Sequence, residues 1–304
     1  RPLKRIFYES WFMASWHGLR VTIYISNNNI LYCYSKGMAQ AAHHTFSLFV
    51  KMRKDKSLNV NSYEMAVFKA MRTIMHLIAA VHFGYSCYFD WNYVDIPISV
   101  NAFGKTFGNK LKYLTFWDAI LQTVYFSIAL LNDFIGSNEN VPSKMPAIRR
   151  IKDFVFSSLA FPIAMYVGVS FWGLMAVDRE LVFPKVLDAY FPTWLNHVMH
   201  TNIVVFIVLE MFLTFRQYPS VKRGITTLTT FLVVYLIWVH VIFYYSGFWV
   251  YPVLQVLSWP MKFVFYLGSL GFGIVLYLTG EFLNNKIWAK QISQLKRSGK
   301  KKSN

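Results

Sequence analysis

The sequence predicts an all-α membrane protein with six transmembrane helices and both termini in the cytosol. Hydrophobic residues make up 55% of the chain, aromatic residues 19% and charged residues 15%, which is more apolar than an ordinary soluble domain. Six apolar runs are long enough to cross about 30 Å of hydrocarbon, which takes roughly 20 residues. The net charge of +17 lies in short basic clusters between these runs, so it indicates cytosolic loops and not a nucleic-acid-binding surface.

Residues 1–64 are predicted to be an extension outside the membrane domain. They contain no apolar run of spanning length, and they are interrupted by SNNN at Ser26–Asn29 and by KMRKDK at Lys51–Lys56. No cleavable signal pattern is evident in them. We expect this stretch to be disordered or to lie upstream of a start at Met65. The membrane domain is then residues 65–290, and a basic cytosolic tail follows at 291–304.

Each predicted span is bounded by charged residues, glycine or proline, and none shows the short alternating segments of a membrane barrel. Pro162 lies in the first half of the third span and is expected to kink it. The six spans are approximately Val67–Phe89, Tyr113–Phe134, Phe154–Val177, Trp194–Phe215, Gly224–Tyr245 and Met261–Phe282.

The positions of lysine and arginine predict the orientation of the spans. These residues are concentrated before the first span, in the second and fourth loops and in the tail, and are sparse in the other loops. By the positive-inside bias both termini therefore face the cytosol. The aromatic residues Trp91, Trp194, Trp249, Tyr251 and Trp259 then gather at the outer boundary, where amphipathic rings anchor at headgroup level.

The fourth span carries polar side chains into an apolar run. In the sequence WLNHVMHTNIVVFIVLE, His197 and His200 are three residues apart, and Asn196 lies one turn before His200. A polar group in hydrocarbon is costly unless it is paired, so these residues are candidates for a functional site. The alternative is that a histidine near a helix end sits at the headgroup level and bonds to backbone or water.

The second span carries a polar stripe at helical spacing, formed by Thr115, Asp118 and Gln122, which should face the bundle. Thr115 lies two residues below the outer boundary on the second span, and His200 lies six residues below it on the fourth span. At 1.5 Å per residue, both lie within about 10 Å of that boundary, so the two side chains are able to meet. Alternatively, Thr115 bonds to a carbonyl of its own helix or joins two helices.

Three residues are candidates for supporting roles around this pair. Asp118 is the carboxylate at a suitable depth to orient a histidine, and Asn196 is the candidate oxyanion donor, for which Trp194 or a backbone amide would also serve. His240 lies at the level of His200 and competes with it as the base, or packs in the core. Glu210 is roughly 15 Å from His200 along the axis, so we expect it to pair with the basic inner face.

The sequence lacks the signatures of most enzyme classes. Among its histidines only His43–His44 and the pair His197 and His200 are close, too few for a membrane di-iron site, and no metal is expected. Cys33 and Cys87 match no zinc or disulfide pattern. No GxSxG, HExxH, phosphate-loop or GxGxxG motif is present. A threonine hydroxyl activated by a histidine, which divides the work as serine and histidine do, remains chemically possible.

Five segments together resemble the androgen-induced gene family of membrane hydrolases. They are KYLTFWDAILQ at Lys112–Gln122, DRELVFPKVLDAYFPTWLNHVMHT at Asp178–Thr201, QYPS at Gln217–Ser220, GFWVYP at Gly247–Pro252 and GEFLNNKIW at Gly280–Trp288. The resemblance implies a six-helix enzyme that cleaves fatty acid esters of hydroxy fatty acids without a cofactor. It also implies that Thr115 is the nucleophile and His200 the catalytic histidine.

Two further functions stay open at this point. One is a non-catalytic membrane regulator or lipid-binding scaffold, in which Thr115 and His200 only pack. The other is a small transporter, which the absence of clear internal repeats disfavours.

Lys301 and Lys302 resemble a di-lysine retrieval signal, so we expect the protein in the endoplasmic reticulum membrane, with the plasma membrane as the alternative. The expected partners are membrane lipids and the ester substrate.

Overall fold

The structure is a computed structural model that describes residues 15–16, 19–20, 62–97, 107–139, 142 and 144–302. The chain divides into two compact units, Arg1–Lys69 and Ala70–Asn304. In the first unit, strands β1 (Ser15–Trp16) and β2 (Leu19–Arg20) pair antiparallel, with Ser15 opposite Arg20. The rest of the extension up to Asn61, for which disorder was predicted, lies outside the described residues.

Six long helices follow, and each contains a segment long and apolar enough to cross a membrane. The prediction of an all-α protein with six spans is therefore confirmed, while the orientation of the termini stays a prediction. The helices are α1 (Ser62–Tyr93), α2 (Leu114–Ile135), α3 (Ala147–Val177), α4 (Thr193–Leu213), α5 (Val221–Ser246) and α6 (Trp259–Ile287).

Helix α3 begins at Ala147, seven residues before the predicted start at Phe154. The sequence prediction treated Arg149 and Lys152 as loop residues because their charges end an apolar window. In the structure both are helical and fully buried, and both lie near Asp153, at 3.5 Å and 3.8 Å respectively. Buried charges of this kind persist only when they are paired, and pairing is what lets the helix continue through them.

Two of the spanning helices contain a π turn. In α3 it covers Phe156–Ala160 and directly precedes the turn that holds Pro162. The predicted kink at this proline stays a prediction. In α4 it covers Val198–Asn202 and includes His200. A π turn holds an extra residue within an α-helix and is frequent at functional sites.

Helices α3 and α4 approach each other closely beside His200. Gly168 of α3 makes this possible, because a Cβ built there would lie 2.3 Å from Val204 and 2.9 Å from the carbonyl oxygen of His200. The core of the bundle is mainly aromatic and aliphatic and includes Tyr125 and Phe156. Large apolar side chains on the outer faces, such as Val264 at 67% exposure, suit contact with lipid.

Short elements connect the helices at the end where Thr115 lies. Three 3₁₀ turns cover Asn109–Lys112, Arg179–Leu181 and Lys185–Ala189, and a short helix covers Pro252–Val256. After α6 the chain forms helix α7 (Ala289–Lys302), which takes up most of the predicted basic tail.

Candidate active site

Thr115 is the second residue of α2, and two tyrosines fix the start of that helix. The backbone N–H of Leu114 donates to the hydroxyl oxygens of Tyr235 and Tyr251, at 2.8 Å and 3.1 Å. The Tyr235 hydroxyl in turn donates to the carbonyl of Lys112 at 2.9 Å. Burial raises the pKa of Tyr251 to about 12, so its phenol keeps its proton at neutral pH. These contacts hold the backbone beside Thr115 in place.

The side chains of Thr115 and His200 are hydrogen-bonded. Thr115 Oγ1 lies 3.2 Å from His200 Nε2, and His200 Nδ1 lies 3.0 Å from the carbonyl oxygen of Asn196. A carbonyl oxygen only accepts, so Nδ1 carries the proton in this bond and Nε2 presents a lone pair to the threonine hydroxyl. The pair therefore has the protonation that a neutral base and a hydroxyl nucleophile require.

An aromatic stack fixes the plane of the His200 ring. Phe171 of α3 lies over it with ring centroids 3.6 Å apart and an angle of 16° between the planes, and His200 is only 6% exposed. Together with the Asn196 carbonyl, this stack leaves the imidazole one orientation, in which Nε2 points at Thr115. Pre-set geometry of this kind is what general-base catalysis needs.

Two cavities meet at Thr115. The larger has a volume of about 530 Å³ and lies among helices α2, α3, α5 and α6. The smaller has a volume of about 330 Å³ and lies under the loops that carry the 3₁₀ turns. Both are lined by Thr115, Phe171, Val182 and Tyr251, so the hydroxyl faces space on two sides. Cavities of this size accommodate small organic ligands.

The start of α2 favours negative charge next to the Thr115 hydroxyl. The first N–H groups of a helix have no intrahelical acceptor and carry its positive dipole end. At this end, Phe116 N and Trp117 N donate to the Tyr113 carbonyl. Within the described ranges, no acceptor is recorded for the N–H of Thr115, which makes it available to an oxyanion.

Asp118 was expected to orient a histidine, and the structure contradicts this. Its fully buried carboxylate accepts from Gln122 Nε2 at 2.8 Å, and Gln122 also donates to the Ala160 carbonyl at 2.9 Å. The polar stripe does turn inward as predicted. Through Gln122 it joins α2 to α3. The Nδ1 side of His200, which Asp118 was expected to occupy, faces the main-chain carbonyl of Asn196.

The other two supporting candidates also differ from the expectation. Asn196 accepts a hydrogen bond from His200 Nδ1 through its main-chain carbonyl, and its side chain, the expected oxyanion donor, lines neither of the two cavities at Thr115. His240 donates to the Leu236 carbonyl at 2.8 Å and packs edge-on against Trp249. It lines neither of the two cavities at Thr115, so it is not placed to compete with His200. His197 stacks on Trp172 instead of facing Thr115.

Glu210 belongs to a charged cluster at the other end of the bundle. Its carboxylate contacts Arg216 Nη2 at 3.0 Å, the Tyr125 hydroxyl at 2.7 Å and His76 Nε2 at 2.9 Å. The expected pairing of Glu210 with basic residues is confirmed. The sequence reading missed His76, whose Nδ1 lies 2.6 Å from a second carboxylate, that of Asp133.

Sequence reasoning also missed the residues that position the pair. Phe171 and Tyr235 are ordinary aromatic residues in an aromatic-rich chain, and Tyr251 was expected only to anchor at the membrane boundary. Among the residues for which coordinates are described, no group of three or more His, Cys, Asp or Glu side chains is arranged to hold a metal ion. The expectation of a cofactor-free site stays a prediction.

Comparison with known proteins gives one family. Residues 71–285 match the family model described as FAR-17a/AIG1-like protein. The human androgen-induced gene 1 protein is 37% identical over 195 residues, 62% of this chain and 82% of that protein. The androgen-dependent TFPI-regulating protein of Mesocricetus auratus is 36% identical over 199 residues, 64% of this chain and 83% of its own length. No solved structure matches the chain significantly.

Proposed function

The chain belongs to the FAR-17a/AIG1-like protein family, and on this premise we propose that it is a membrane hydrolase that cleaves fatty acid esters of hydroxy fatty acids. The observation that carries the proposal is the hydrogen bond between Thr115 Oγ1 and His200 Nε2 at the junction of two cavities. Thr115 is the nucleophile, and His200 is the general base and acid.

The reaction proceeds through an acyl-enzyme. His200 Nε2 takes the proton from Thr115 Oγ1 as this oxygen attacks the ester carbonyl carbon. The tetrahedral intermediate collapses, the bond to the alcohol oxygen breaks, and His200 returns its proton to that oxygen, which releases the hydroxy fatty acid. Water then attacks the acyl-threonine with His200 again as the base. The products are a fatty acid and the free Thr115 hydroxyl.

The developing oxyanion is stabilised by the start of α2. The Thr115 N–H is adjacent to the reacting oxygen and lies at the positive end of the helix dipole. Tyr235 and Tyr251 hold this end through the Leu114 N–H, so the donor is fixed before substrate arrives. A main-chain donor replaces the side chain of Asn196 in this role.

Activity and labelling test the proposal together. Purified protein is treated with a fluorophosphonate probe and assayed on branched and straight fatty esters. We expect labelling and ester cleavage in the wild type and neither in Thr115→Ala. Thr123→Ala is the matched control, because Thr123 lies on the same helix and its hydroxyl donates to the carbonyl of Ala119. A folded wild type that neither labels nor cleaves any ester supports the non-catalytic scaffold instead.

A further inference from the structure

We propose that Lys110 forms a subsite for the free carboxylate of the hydroxy fatty acid part of the substrate. This inference rests on the proposed function and assigns the two cavities to the two arms of the branched ester. The acyl arm lies in the larger cavity, and the hydroxy acid arm lies in the smaller one with its carboxylate at Lys110. The subsite would distinguish esters of hydroxy fatty acids from neutral lipid esters.

Lys110 supplies a positive charge to the wall of the smaller cavity. It belongs to the 3₁₀ turn Asn109–Lys112, and its Nζ lies 2.8 Å from a carboxylate oxygen of Asp90, a residue of α1. The two side chains are only 12% and 6% exposed. Both residues line the same cavity as Thr115 and His200, so a ligand in that cavity is able to reach the reacting pair and the ammonium at once.

Asp90 positions the ammonium and leaves it able to bind a second anion. A lysine ammonium carries three N–H donors, and in the described part of the chain one of them is directed at Asp90. The remaining lining of the cavity is mostly apolar, with Ile96, Val182 and Leu187 among its residues. In such surroundings a charge-assisted hydrogen bond to a carboxylate is stronger than in water.

The larger cavity contrasts with the smaller one in charge. Among the residues that the structure describes, its lining contains serine, threonine and tyrosine but no charged side chain, so an alkyl chain fits it and an ionised group does not. An ester carbonyl at Thr115 therefore has one apolar side and one side that holds the Lys110–Asp90 ion pair, whose ammonium has N–H donors to spare. A fatty acid ester of a hydroxy fatty acid has the same asymmetry, because only its hydroxy acid arm ends in a carboxylate.

Binding of the product alone tests the subsite without relying on hydrolysis. Hydroxystearic acid and its methyl ester are titrated into purified full-length protein in detergent, and a long-chain alkyl phosphate is included as a second anion. We expect the acid to bind about tenfold more tightly than the methyl ester, with Lys110→Met removing this preference. Tighter binding of the alkyl phosphate than of the acid would overturn the assignment to a carboxylate.

Two further variants make the test specific. Asp90→Asn keeps an acceptor for the ammonium but removes the charge that repels the ligand, so it should raise the preference for the acid. Lys185→Met is the matched control, because Lys185 is exposed in the same region and does not line the cavity. It should bind as the wild type does. An acid preference that survives in a folded Lys110→Met protein would overturn the proposal.

Hydrolysis provides the second readout. The ratio of kcat/KM for the branched ester with a free carboxylate to that for its methyl ester should fall about tenfold in Lys110→Met and rise in Asp90→Asn. A wild type that cleaves both esters equally contradicts the subsite and leaves the hydrolase intact. A wild type that prefers the acid in binding but cleaves neither ester contradicts the hydrolase and leaves the subsite intact.

Discussion

His200 and His76 are both buried histidines on membrane-spanning helices, yet their surroundings give them opposite properties. His200 has one carbonyl acceptor at Nδ1 and a hydroxyl at Nε2, which suits a neutral ring. His76 lies between the carboxylates of Asp133 and Glu210, and because carboxylates only accept, both of its nitrogens must carry protons for both bonds to form. One ring is a base with a free lone pair, and the other is a fixed cation.

The regions around them differ in the same way. The Thr115 end combines an uncharged pair with open cavities, whereas the Glu210 end is filled with buried arginines, carboxylates and tyrosine. Arg216, for example, is fully buried and its guanidinium lies 3.3 Å from the Phe156 ring centroid. Chemistry on a substrate requires space and a group able to change protonation. The described residues of the charged cluster line neither of the two cavities at Thr115, and we therefore assign the cluster to stability.

Replacing His200 with alanine should remove catalysis and leave stability unchanged. His200→Ala should lower hydrolysis by at least about a hundredfold and leave folding intact, because a general base contributes that much or more. The double variant with Thr115→Ala should be little worse, since the two residues act as a unit. Ester turnover and detergent size-exclusion profiles measure the two effects. Substantial activity in His200→Ala would remove it as the base.

A substitution in the charged cluster should instead lower stability and leave the activity of the folded protein intact. Glu210→Ala leaves His76 and Arg216 without a shared carboxylate, and breaking a buried ion pair typically costs about 3–5 kcal/mol. We expect the midpoint of thermal unfolding in detergent to fall by roughly 10 °C, with activity lost only in proportion to unfolded protein. A folded Glu210→Ala protein with a catalytic defect at low temperature would show that the two regions are coupled.

Glycine replacements should show the difference in packing between the two ends. A Cβ at Gly224 would lie 2.2 Å from the Tyr277 hydroxyl, whereas a Cβ at Gly268, which lines the larger cavity, has no atom within 4 Å. Gly224→Ala should therefore destabilise by about 1–3 kcal/mol, and Gly268→Ala should not. Thermal unfolding compares the two. Equal destabilisation would mean that the cavity is filled by packing.

The smallest effects are expected at the two supporting candidates that the structure removes from the site. Asp118→Asn keeps an acceptor for Gln122 and should change kcat/KM by less than about threefold, because Asp118 does not contact His200. His240→Ala should likewise retain most activity, since it lines neither cavity. Ester hydrolysis at saturating and limiting substrate measures both. A loss equal to that of His200→Ala in either variant would return that residue to the mechanism.

The sequence predicted the spans well because hydropathy depends on local composition. It placed the start of α3 too late because a hydropathy window penalises Arg149 and Lys152 as isolated charges and cannot represent their pairing with Asp153. The meeting of Thr115 and His200 was expected from depth, since distance along a helix axis follows from residue number. Their catalytic roles stay predictions.

The direction in which a side chain points around its helix axis was harder to predict than its depth in the membrane. Asp118 lies at a suitable depth but bonds to Gln122 on its own helix, and His76 was overlooked because nothing near it in the sequence indicates its two carboxylate partners. Those partners, Asp133 and Glu210, are 57 and 134 residues away in the chain. Contacts of that kind depend on the packing of three helices, which a periodicity argument does not contain.

Helix α4 contributes a residue to each of the two regions, and its π turn sets the angle between these residues. Helix α4 carries His200 and Glu210, and in a regular α-helix the angle between two residues is fixed by their separation, at about 100° per residue. The widened turn at Val198–Asn202 changes that angle, so the half of α4 that carries His200 is oriented independently of the half that carries Glu210. Removing one residue within this turn would therefore rotate His200 away from Thr115 while Glu210 kept its partners.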